Sequence, residues 1–289
     1  MIAYFLLLHR YPEQFERMLK AIYNEKNIYL IHVDRNSGSD VKRYIETCTI
    51  DYPNIHFLES KGLLWGGYSL VDAELRGMKK LLQLSKDWTY YINLSGQDFP
   101  LRSQEEIAQF LSKNDGREFI KAVDQAQIRP ETMHRIRKYV WEFKHQIFET
   151  FIKRKFITNV KPYIGNQWKI VTRSFCDYVC NDRSVQSYKN FYANTFIADE
   201  GFFQTVLMNS KFRHKLFNSD LRMIDWVDPG DRRLRPKIFT IGDFARLVNS
   251  NNLFARKFDS TIDHSILSSL EISLAGNRKE VAVSSAFPE

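Results

Sequence analysis

Cysteine is scarce in this sequence, with three residues in a chain of 289. Three cysteines are too few for a disulfide framework. Cys176 and Cys180 would lie one turn apart on a helix, but no second pair lies nearby to complete a zinc site. The cysteine content therefore favours a reducing compartment and argues against a structural metal centre.

Long hydrophobic runs are also missing. The apolar run Ile2–Leu8 is too short to span a bilayer, and its surroundings lack the features of a signal peptide. We predict that it forms the first buried strand of a sheet, in a chain that is soluble or peripherally attached to a membrane. No linker or internal repeat is visible. We therefore predict a single domain over residues 1–275 and a small, polar, frayed tail over residues 276–289.

Acidic residues are fewer than basic ones, 34 against 42, which gives a formal charge of +8. Such a balance favours anionic partners, namely phosphates, nucleotides, nucleic acid or an acidic membrane surface. Between residues 132 and 155, apolar residues recur every three or four positions and predict a helix surrounded by basic residues. This basic helix is either a solvated insertion or a surface for an anionic bilayer or an acidic acceptor. No nucleic-acid motif accompanies it, so we expect no nucleic-acid partner.

Strands and helices alternate through the first half of the chain. The strand Ile2–Leu8 precedes an amphipathic helix at residues 12–23, and a second strand follows at residues 27–33. Because connections of this kind join parallel strands, the pattern predicts an α/β fold. We expect a mostly parallel central sheet with helices on both faces.

Residues 88–102, WTYYINLSGQDFPLR, have the pattern of a buried strand followed by a polar turn. Ser103 and Glu106 then have the spacing of a capping box at the start of a helix. Open α/β sheets bind ligands in the crevice beyond the carboxyl ends of their strands, where Asp98 would stand. Alternatively, Asp98 only bonds its own backbone in a turn.

Five separated segments together resemble the core-2/I-branching enzyme family. They are AYFLLLHRYPEQFERMLKAIY with IHVD, WGGYSLVDAEL, DWTYYINLSGQDFPLR, ADEGFFQTVLMNS, and FTIGDF with NNLFARKFD. The family contains inverting glycosyltransferases, including β-1,6-N-acetylglucosaminyltransferases and peptide O-xylosyltransferases, and the third and fourth segments look closest to the xylosyltransferases. The resemblance implies a GT-A fold, with a Rossmann-like nucleotide-binding half over residues 1–125 and an acceptor-binding and catalytic half over residues 126–275.

The resemblance assigns the catalytic base to Glu200. This carboxylate stands at a predicted helix start, where the helix dipole favours its ionised form. Without the resemblance, an acidic residue at this position is more often a helix cap, and we predict that Asp199 is the cap.

For the leaving diphosphate, Lys257 and Arg235 look like the pyrophosphate-binding pair of the family. Arg235 aligns only if one residue is deleted, so Arg233 and Arg232 stay open as alternatives. Because the core-2 members use basic side chains instead of a divalent metal, we expect neither a metal nor a cofactor. The implied donor is UDP-GlcNAc or UDP-xylose, and the implied acceptor is a glycan or a lipid-linked saccharide.

Other candidates for ligand contact come from strand ends and from tryptophans, whose rings stack on sugar faces. The resemblance assigns the nucleoside to Leu8, His9, Arg10 and Asp34, the donor to Trp65 and the acceptor to Trp226, with Asp98, Trp168 and Asp199 as further substrate-binding candidates.

Two other interpretations compete with this one: a nucleotide-sugar-binding protein that has lost catalysis, and a basic nucleic-acid binder. The joint presence of Glu200, Lys257 and Arg235 argues against the first. Eukaryotic family members carry a membrane anchor, a stem and several disulfides. We therefore expect a bacterial-type, cytoplasmic enzyme whose basic segment is a candidate for contact with the inner face of the cell membrane.

Overall fold

A computed structural model describes residues 1–143, 146–227 and 235–286, and for residues 277–286 the backbone alone. The strands are β1 (Ile2–Leu8), β2 (Ile28–Val33), β3 (Ile55–Phe57), β4 (Tyr90–Ser95), β5 (Asp98–Pro100), β6 (Glu118–Ile120), β7 (Val123–Asp124), β8 (Lys138–Phe143), β9 (Gln146–Lys153), β10 (Tyr163–Ile164), β11 (Lys169–Thr172), β12 (Leu216–Phe217), β13 (Arg222–Ile224) and β14 (Phe254–Arg256). The helices are α1 (Pro12–Ile22), α2 (Ser39–Cys48), α3 (Ser69–Leu84), α4 (Gln104–Lys113), α5 (Gln125–Ile128), α6 (His134–Arg137), α7 (Arg173–Asn181), α8 (Gln186–Tyr192), α9 (Phe202–Met208), α10 (Phe244–Val248) and α11 (Ser265–Ala286).

The central sheet has the strand order β12, β6, β11, β4, β1, β2, β3. β1 pairs in parallel with β2 and with β4. These three strands are buried along their whole length, as their continuous runs of aliphatic and aromatic residues predict. The predicted α/β class with a mostly parallel sheet is therefore confirmed.

Helices cover both faces of the sheet. On one face, α1, α4 and α11 bury Phe15, Ile107 and Ile266 in a common core. On the other face, α3 and α7 bury Met78 and Phe175. Apolar residues at helical spacing produce these stripes, because side chains three or four positions apart share one side of a helix.

β11 runs antiparallel to both of its neighbours, β4 and β6. Its amino end therefore lies at the same edge as the carboxyl ends of β1, β2 and β4. Residues 165–168, which precede β11, consequently reach the edge where sheets of this kind bind ligands.

A second, three-stranded sheet has the order β13, β14, β5. Its strand β5 begins three residues after β4 ends, so this sheet also lies beside the ligand-binding edge. The register places Asp98 of β5 opposite Arg256 of β14. Opposite charges on adjacent strands are thereby brought face to face.

The prediction of a basic helix at about residues 132–155 is wrong. Among the described residues of this range, helical structure is limited to the end of the 3₁₀ helix Pro130–Met133 and to α6, His134–Arg137, and β8 and β9 pair as an antiparallel hairpin. The segment is rich in aromatic and β-branched residues, which favour strands, and its apolar positions also fit an alternating pattern. Two of the predicted helical residues, 144 and 145, lie outside the described residues.

The prediction of a frayed tail from residue 276 is wrong for the backbone as far as Ala286, which continues α11. Alanine, arginine, lysine and glutamate in this stretch are good helix formers, and they outweigh the single Gly276. None of the helices in the described ranges is both long enough and apolar enough to cross a membrane.

Candidate active site

The ends of β1 and β2 meet at the ligand-binding edge. The Asp34 amide donates a hydrogen bond to the Leu8 carbonyl at 2.8 Å. The Asp34 carboxylate accepts hydrogen bonds from the amides of Asn36 at 2.8 Å and Leu63 at 3.3 Å. Asp34 also lines a surface cleft of about 550 Å³. The structure thus brings Leu8 and Asp34 together, as predicted for a nucleoside site, with Leu8 itself buried.

Positive charge is concentrated just beyond β1 and β14. Burial and the charges of Arg10, Arg256 and Lys257 lower the pKa of His9 to about 4. Burial, followed by the charges of Arg10, Arg256 and Arg235, lowers the pKa of Lys257 to about 8. Because each group is destabilised by its charged neighbours, this cluster is suited to bind a polyanion.

Gln97 links the Arg10 side chain to the backbone next to Lys257. The Arg10 guanidinium donates from Nη2 to the Gln97 Oε1 at 2.9 Å. Gln97 in turn donates from Nε2 to the carbonyl of Phe258, the residue after Lys257, at 3.2 Å. Arg235 is close enough for its charge to act on Lys257. Its two alternatives, Arg232 and Arg233, lie outside the described residues.

The buried carboxylate of Asp98 neutralises part of this positive charge. Asp98 has no exposed surface, and its Oδ1 lies 3.2 Å from Arg222 Nε while its Oδ2 lies 3.4 Å from Arg256 Nη1. The same Oδ2 accepts hydrogen bonds from the amide and the hydroxyl of Ser95 at 2.6 and 2.7 Å. The prediction that Asp98 contacts a substrate is therefore not supported, and its carboxylate supports the arginines instead.

Trp168 has a similar supporting position. The guanidinium groups of Arg222 and Arg256 lie over its ring, at 4.5 and 4.6 Å from the centroid. The side chain is 6% exposed. Two cation–π contacts and near-complete burial leave little ring surface for a sugar, so the prediction of sugar stacking at Trp168 is not supported either.

Glu200 lies in the turn that leads into α9. It ends the 3₁₀ turn Ala198–Glu200, and α9 begins two residues later, so it precedes the helix as predicted. Its Oε2 accepts a hydrogen bond from Arg135 Nη1 at 2.7 Å. Among the described residues, the other carboxylate oxygen, Oε1, accepts no hydrogen bond, and the side chain is 29% exposed. Glu200 therefore has one oxygen held in place and one available.

The prediction that Asp199 caps the helix is wrong. The N-cap of α9 is Gly201, and no side chain caps that end. The Asp199 carboxyl group is buried, and its Oδ1 has no hydrogen-bond partner among the described residues. Burial and the neighbouring charge of Glu200 raise the pKa of Asp199 to about 7. Ile197, two residues before Asp199, has a left-handed backbone conformation.

Residues 165–168 connect the turn of Glu200 to the cationic cluster. The Gly165 amide donates to the Glu200 carbonyl at 2.8 Å. At the other end of the segment, Trp168 contacts both arginines. A Cβ atom at Gly165 would lie 1.7 Å from the Lys121 carbonyl oxygen, so only glycine fits there. Because four extended residues reach at most about 14 Å, the backbone contact to Glu200 and the ring contact to the arginines belong to one short segment.

Trp65 and Trp226 are exposed, as expected for side chains that stack on a ligand. Trp65 is 74% exposed and contacts the ring of Phe196 edge-on at 6.0 Å. The carbonyl of the next residue, Gly66, accepts from the Ile197 amide at 2.7 Å, which brings this loop to the Glu200 turn. Trp226 is 49% exposed and lies near Arg235, because the following amide of Val227 donates to the Arg235 carbonyl at 3.0 Å.

Comparison with known proteins shows the family of the chain. The model of the core-2/I-branching enzyme family matches residues 2–248. The chain belongs to this family. Xylosyltransferase 2 of Mus musculus is 32% identical over 305 aligned residues, which cover 96% of this chain and 34% of the relative. Xylosyltransferase 1 of Rattus norvegicus is 30% identical, with 96% of this chain and 36% of the relative covered.

This family member spans about a third of the length of the curated relatives that it matches. Among solved structures, the apo form of mouse xyloside xylosyltransferase 1 is similar at 10% identity and a TM-score of 0.38, over 75% of this chain and 84% of the other. The central sheet described above, together with family membership, agrees with the GT-A fold that the resemblance implied.

Several residues that shape the site of this family member were missed in the sequence. Lys169 and Glu74 form a fully buried ion pair, with Nζ and Oε2 2.6 Å apart. Lys169 also donates to the Gln167 carbonyl, so the ion pair fixes the segment of residues 165–168. One signal was available: Glu74 interrupts the apolar stripe of α3, between Val71 and Met78. Buried charges of this kind require a partner.

Proposed function

We propose that this member of the core-2/I-branching family is an inverting glycosyltransferase that moves a sugar from a UDP-sugar to an acceptor hydroxyl. One observation carries this proposal. A single sheet edge presents an available carboxylate oxygen of Glu200 on one side and a cluster of cations on the other, joined by residues 165–168. The names of the relatives favour xylose as the sugar, with N-acetylglucosamine as the alternative.

In the proposed reaction, Glu200 acts as the general base through Oε1. It takes the proton of the acceptor hydroxyl while the acceptor oxygen forms a bond to C1 of the donor sugar. The bond between C1 and the diphosphate oxygen breaks on the opposite face of the sugar, so UDP leaves and the configuration at C1 inverts. Arg135 is a positioning residue in this scheme, because it holds Oε2 and thereby orients Oε1.

The cationic cluster stabilises the departing diphosphate. Its negative charge grows as the glycosidic bond breaks, and preorganised cations aimed at that charge lower the barrier. Arg10, Lys257 and Arg235 are assigned to this task, with Arg256 close behind them. Within the described ranges, no group of three or more His, Cys, Asp or Glu side chains is arranged to hold a metal ion. Metal independence stays a prediction.

The proposal is tested by measuring UDP release from a panel of UDP-sugars, with and without a chelator and with simple sugar acceptors. We expect release with UDP-xylose or UDP-GlcNAc that is unaffected by chelation. Glu200→Gln should lower kcat about a thousandfold, because general-base catalysis is lost, while the Kd for UDP changes little. Glu131→Gln, which alters an exposed carboxylate, is the matched control.

Unchanged turnover in Glu200→Gln would refute the role of Glu200. UDP binding without turnover of any donor would instead support a nucleotide-sugar-binding protein that has lost catalysis.

A further inference from the structure

The hairpin formed by β8 and β9 presents an exposed apolar surface that the proposed reaction does not use. Trp141 is directly opposite Phe148 in the strand register, and Phe143 lies two residues further along β8 on the same side. These three side chains, which we call the outer face, are 55%, 46% and 60% exposed. A contiguous group of large exposed aromatics on a folded protein usually marks an interaction site.

The opposite side of the hairpin, the inner face, is fixed to the rest of the protein. Val140 is 5% exposed, and its amide donates to the Asn194 carbonyl at 3.0 Å. Glu142 accepts from the Ser69 amide through Oε2 at 3.0 Å. The outer face is therefore held outward by a rigid support and is turned away from the Trp65 loop that the inner face contacts.

Both acidic residues of the hairpin belong to the inner face. Glu142 pairs with Ile147 in the register and bonds Ser69, and Glu149 pairs with Val140 and forms an ion pair with Lys138. Neither carboxylate is therefore directed to the side of Trp141 and Phe148.

Basic residues stand at the base of the hairpin. Arg137, Lys153 and Lys155 are exposed, and none of them forms an ion pair with another described residue. The hairpin thus carries aromatic rings on its outer face and, at its base, cations that form no ion pair with another described residue. Aromatic side chains favour the interface between water and lipid, and each Lys or Arg near an anionic bilayer contributes about 1 kcal/mol.

We propose that the outer face docks on an anionic phospholipid bilayer, with the aromatic rings in the interface and the basic residues among the lipid headgroups. The bilayer is the chosen occupant because exposed cations at the base of the hairpin accompany the aromatic rings, and a second copy of the chain is an outcome of the test below. The contact between Arg135, at the foot of the hairpin, and Glu200 would then hold the cleft close to the membrane surface.

The test is co-sedimentation of the full chain with vesicles of phosphatidylglycerol and phosphatidylcholine, compared with phosphatidylcholine alone. We expect binding to the anionic vesicles that is lost at about 1 M salt, where charges are screened beyond roughly 3 Å. Trp141→Ala with Phe148→Ala should weaken binding roughly tenfold or more. The matched control removes two exposed apolar side chains elsewhere, Ile50→Ala with Ile272→Ala, and should bind like the original protein.

A second comparison isolates the charges. The triple variant R137Q, K153Q and K155Q should bind anionic vesicles weakly, whereas K79Q, K80Q and K86Q, which remove the same number of exposed charges from another surface, should bind nearly normally. Circular dichroism and thermal melts verify that each variant is folded. Binding to vesicles requires no catalytic activity, so this test is independent of the proposed transferase function.

Three results would overturn the proposal. They are no binding to anionic vesicles at low salt, equal binding by the outer-face variant and its control, and a solution dimer that only the outer-face variant dissociates. The last result would identify the face as a surface for self-association.

Discussion

Two regions of the candidate site concentrate charge of opposite sign. The cationic side surrounds Lys257, and the acidic side contains Asp199 and Glu200. On the cationic side, burial and then the charges of Arg10 and Arg256 lower the pKa of Lys257 to about 8. On the acidic side, Asp199 is buried next to Glu200, and its pKa rises to about 7. Each side therefore contains groups that are destabilised by neighbours of the same charge.

The difference lies in how each side is compensated. The cationic side is supported by a fully buried carboxylate, Asp98, and remains open to solvent above it. On the acidic side, an arginine holds Glu200 at the surface, and Asp199 has no partner for one oxygen. In the proposed reaction, the side that binds the diphosphate keeps excess charge, and the side that accepts a proton keeps one carboxylate oxygen available. Four predictions test this comparison.

The largest effect is expected at the support of the cationic side. Asp98→Asn should lower the free energy of unfolding by about 3–5 kcal/mol, because two buried guanidinium groups lose their counter-charge. Urea denaturation measures the loss, and Glu105→Gln, at an exposed carboxylate, is the control. A loss below about 1 kcal/mol would show that Asp98 does not support the cluster.

On the acidic side, Arg135→Ala should lower kcat about 10- to 100-fold with little change in the Kd for UDP, because the carboxylate loses its orientation. Steady-state kinetics and calorimetry with UDP separate the two quantities. Arg137→Ala, two residues along the chain, controls for the loss of one positive charge. If the affinity for UDP fell as much as kcat, Arg135 would act on the nucleotide and not on the orientation of Glu200.

The cationic side should also respond to pH. Lys257, with its pKa lowered from 10.5 to about 8, releases its proton between pH 7 and pH 9 in the free protein. A bound diphosphate favours the charged form, so the affinity for UDP should fall about tenfold across this range. Titration calorimetry at several pH values measures the trend. Lys257→Arg should flatten it, because arginine stays charged, and an equal slope in both proteins would contradict the assignment.

The smallest effect concerns Asp199. Its pKa is raised from 3.8 to about 7, so between these values the folded state retains a proton that the unfolded state has released. Stability should therefore fall as pH rises through this window. Asp199→Asn removes this titration. Between pH 5 and pH 8, the variant should therefore lose about 1 kcal/mol less stability than the original protein. A slope remains from Glu118, whose pKa burial also raises to about 7, and an unchanged total slope would contradict the prediction.

Local patterns predicted much of the fold. The continuous apolar runs of β1, β2 and β4 became buried parallel strands, and the capping box of Ser103 and Glu106 forms both of its hydrogen bonds. The hairpin was missed because its apolar spacing fits both periods over a short stretch, and only pairing between β8 and β9 decides between them. Propensity gives no information about such a partner.

The candidate site was predictable where a single motif carries it, and not where partners are distant in sequence. Lys169 and Glu74 are 95 residues apart, and Arg256 and Asp98 are 158 apart, so no local pattern reveals either pair. For Glu200, Lys257 and Arg235, the sequence supplied positions through resemblance. These residues lie beside the ligand-binding edge of the central sheet, and their roles stay predictions.

The contact of Trp168 with two guanidinium groups makes its emission, among that of the five tryptophans, sensitive to the cationic side. Indole emission is sensitive to the electric field of nearby charges, and the two cations lie at 4.5 and 4.6 Å from the ring centroid. A polyanion that draws Arg256 toward the cleft changes that field without touching the tryptophan. Occupancy of the nucleotide side can therefore be followed by fluorescence with unlabelled ligands.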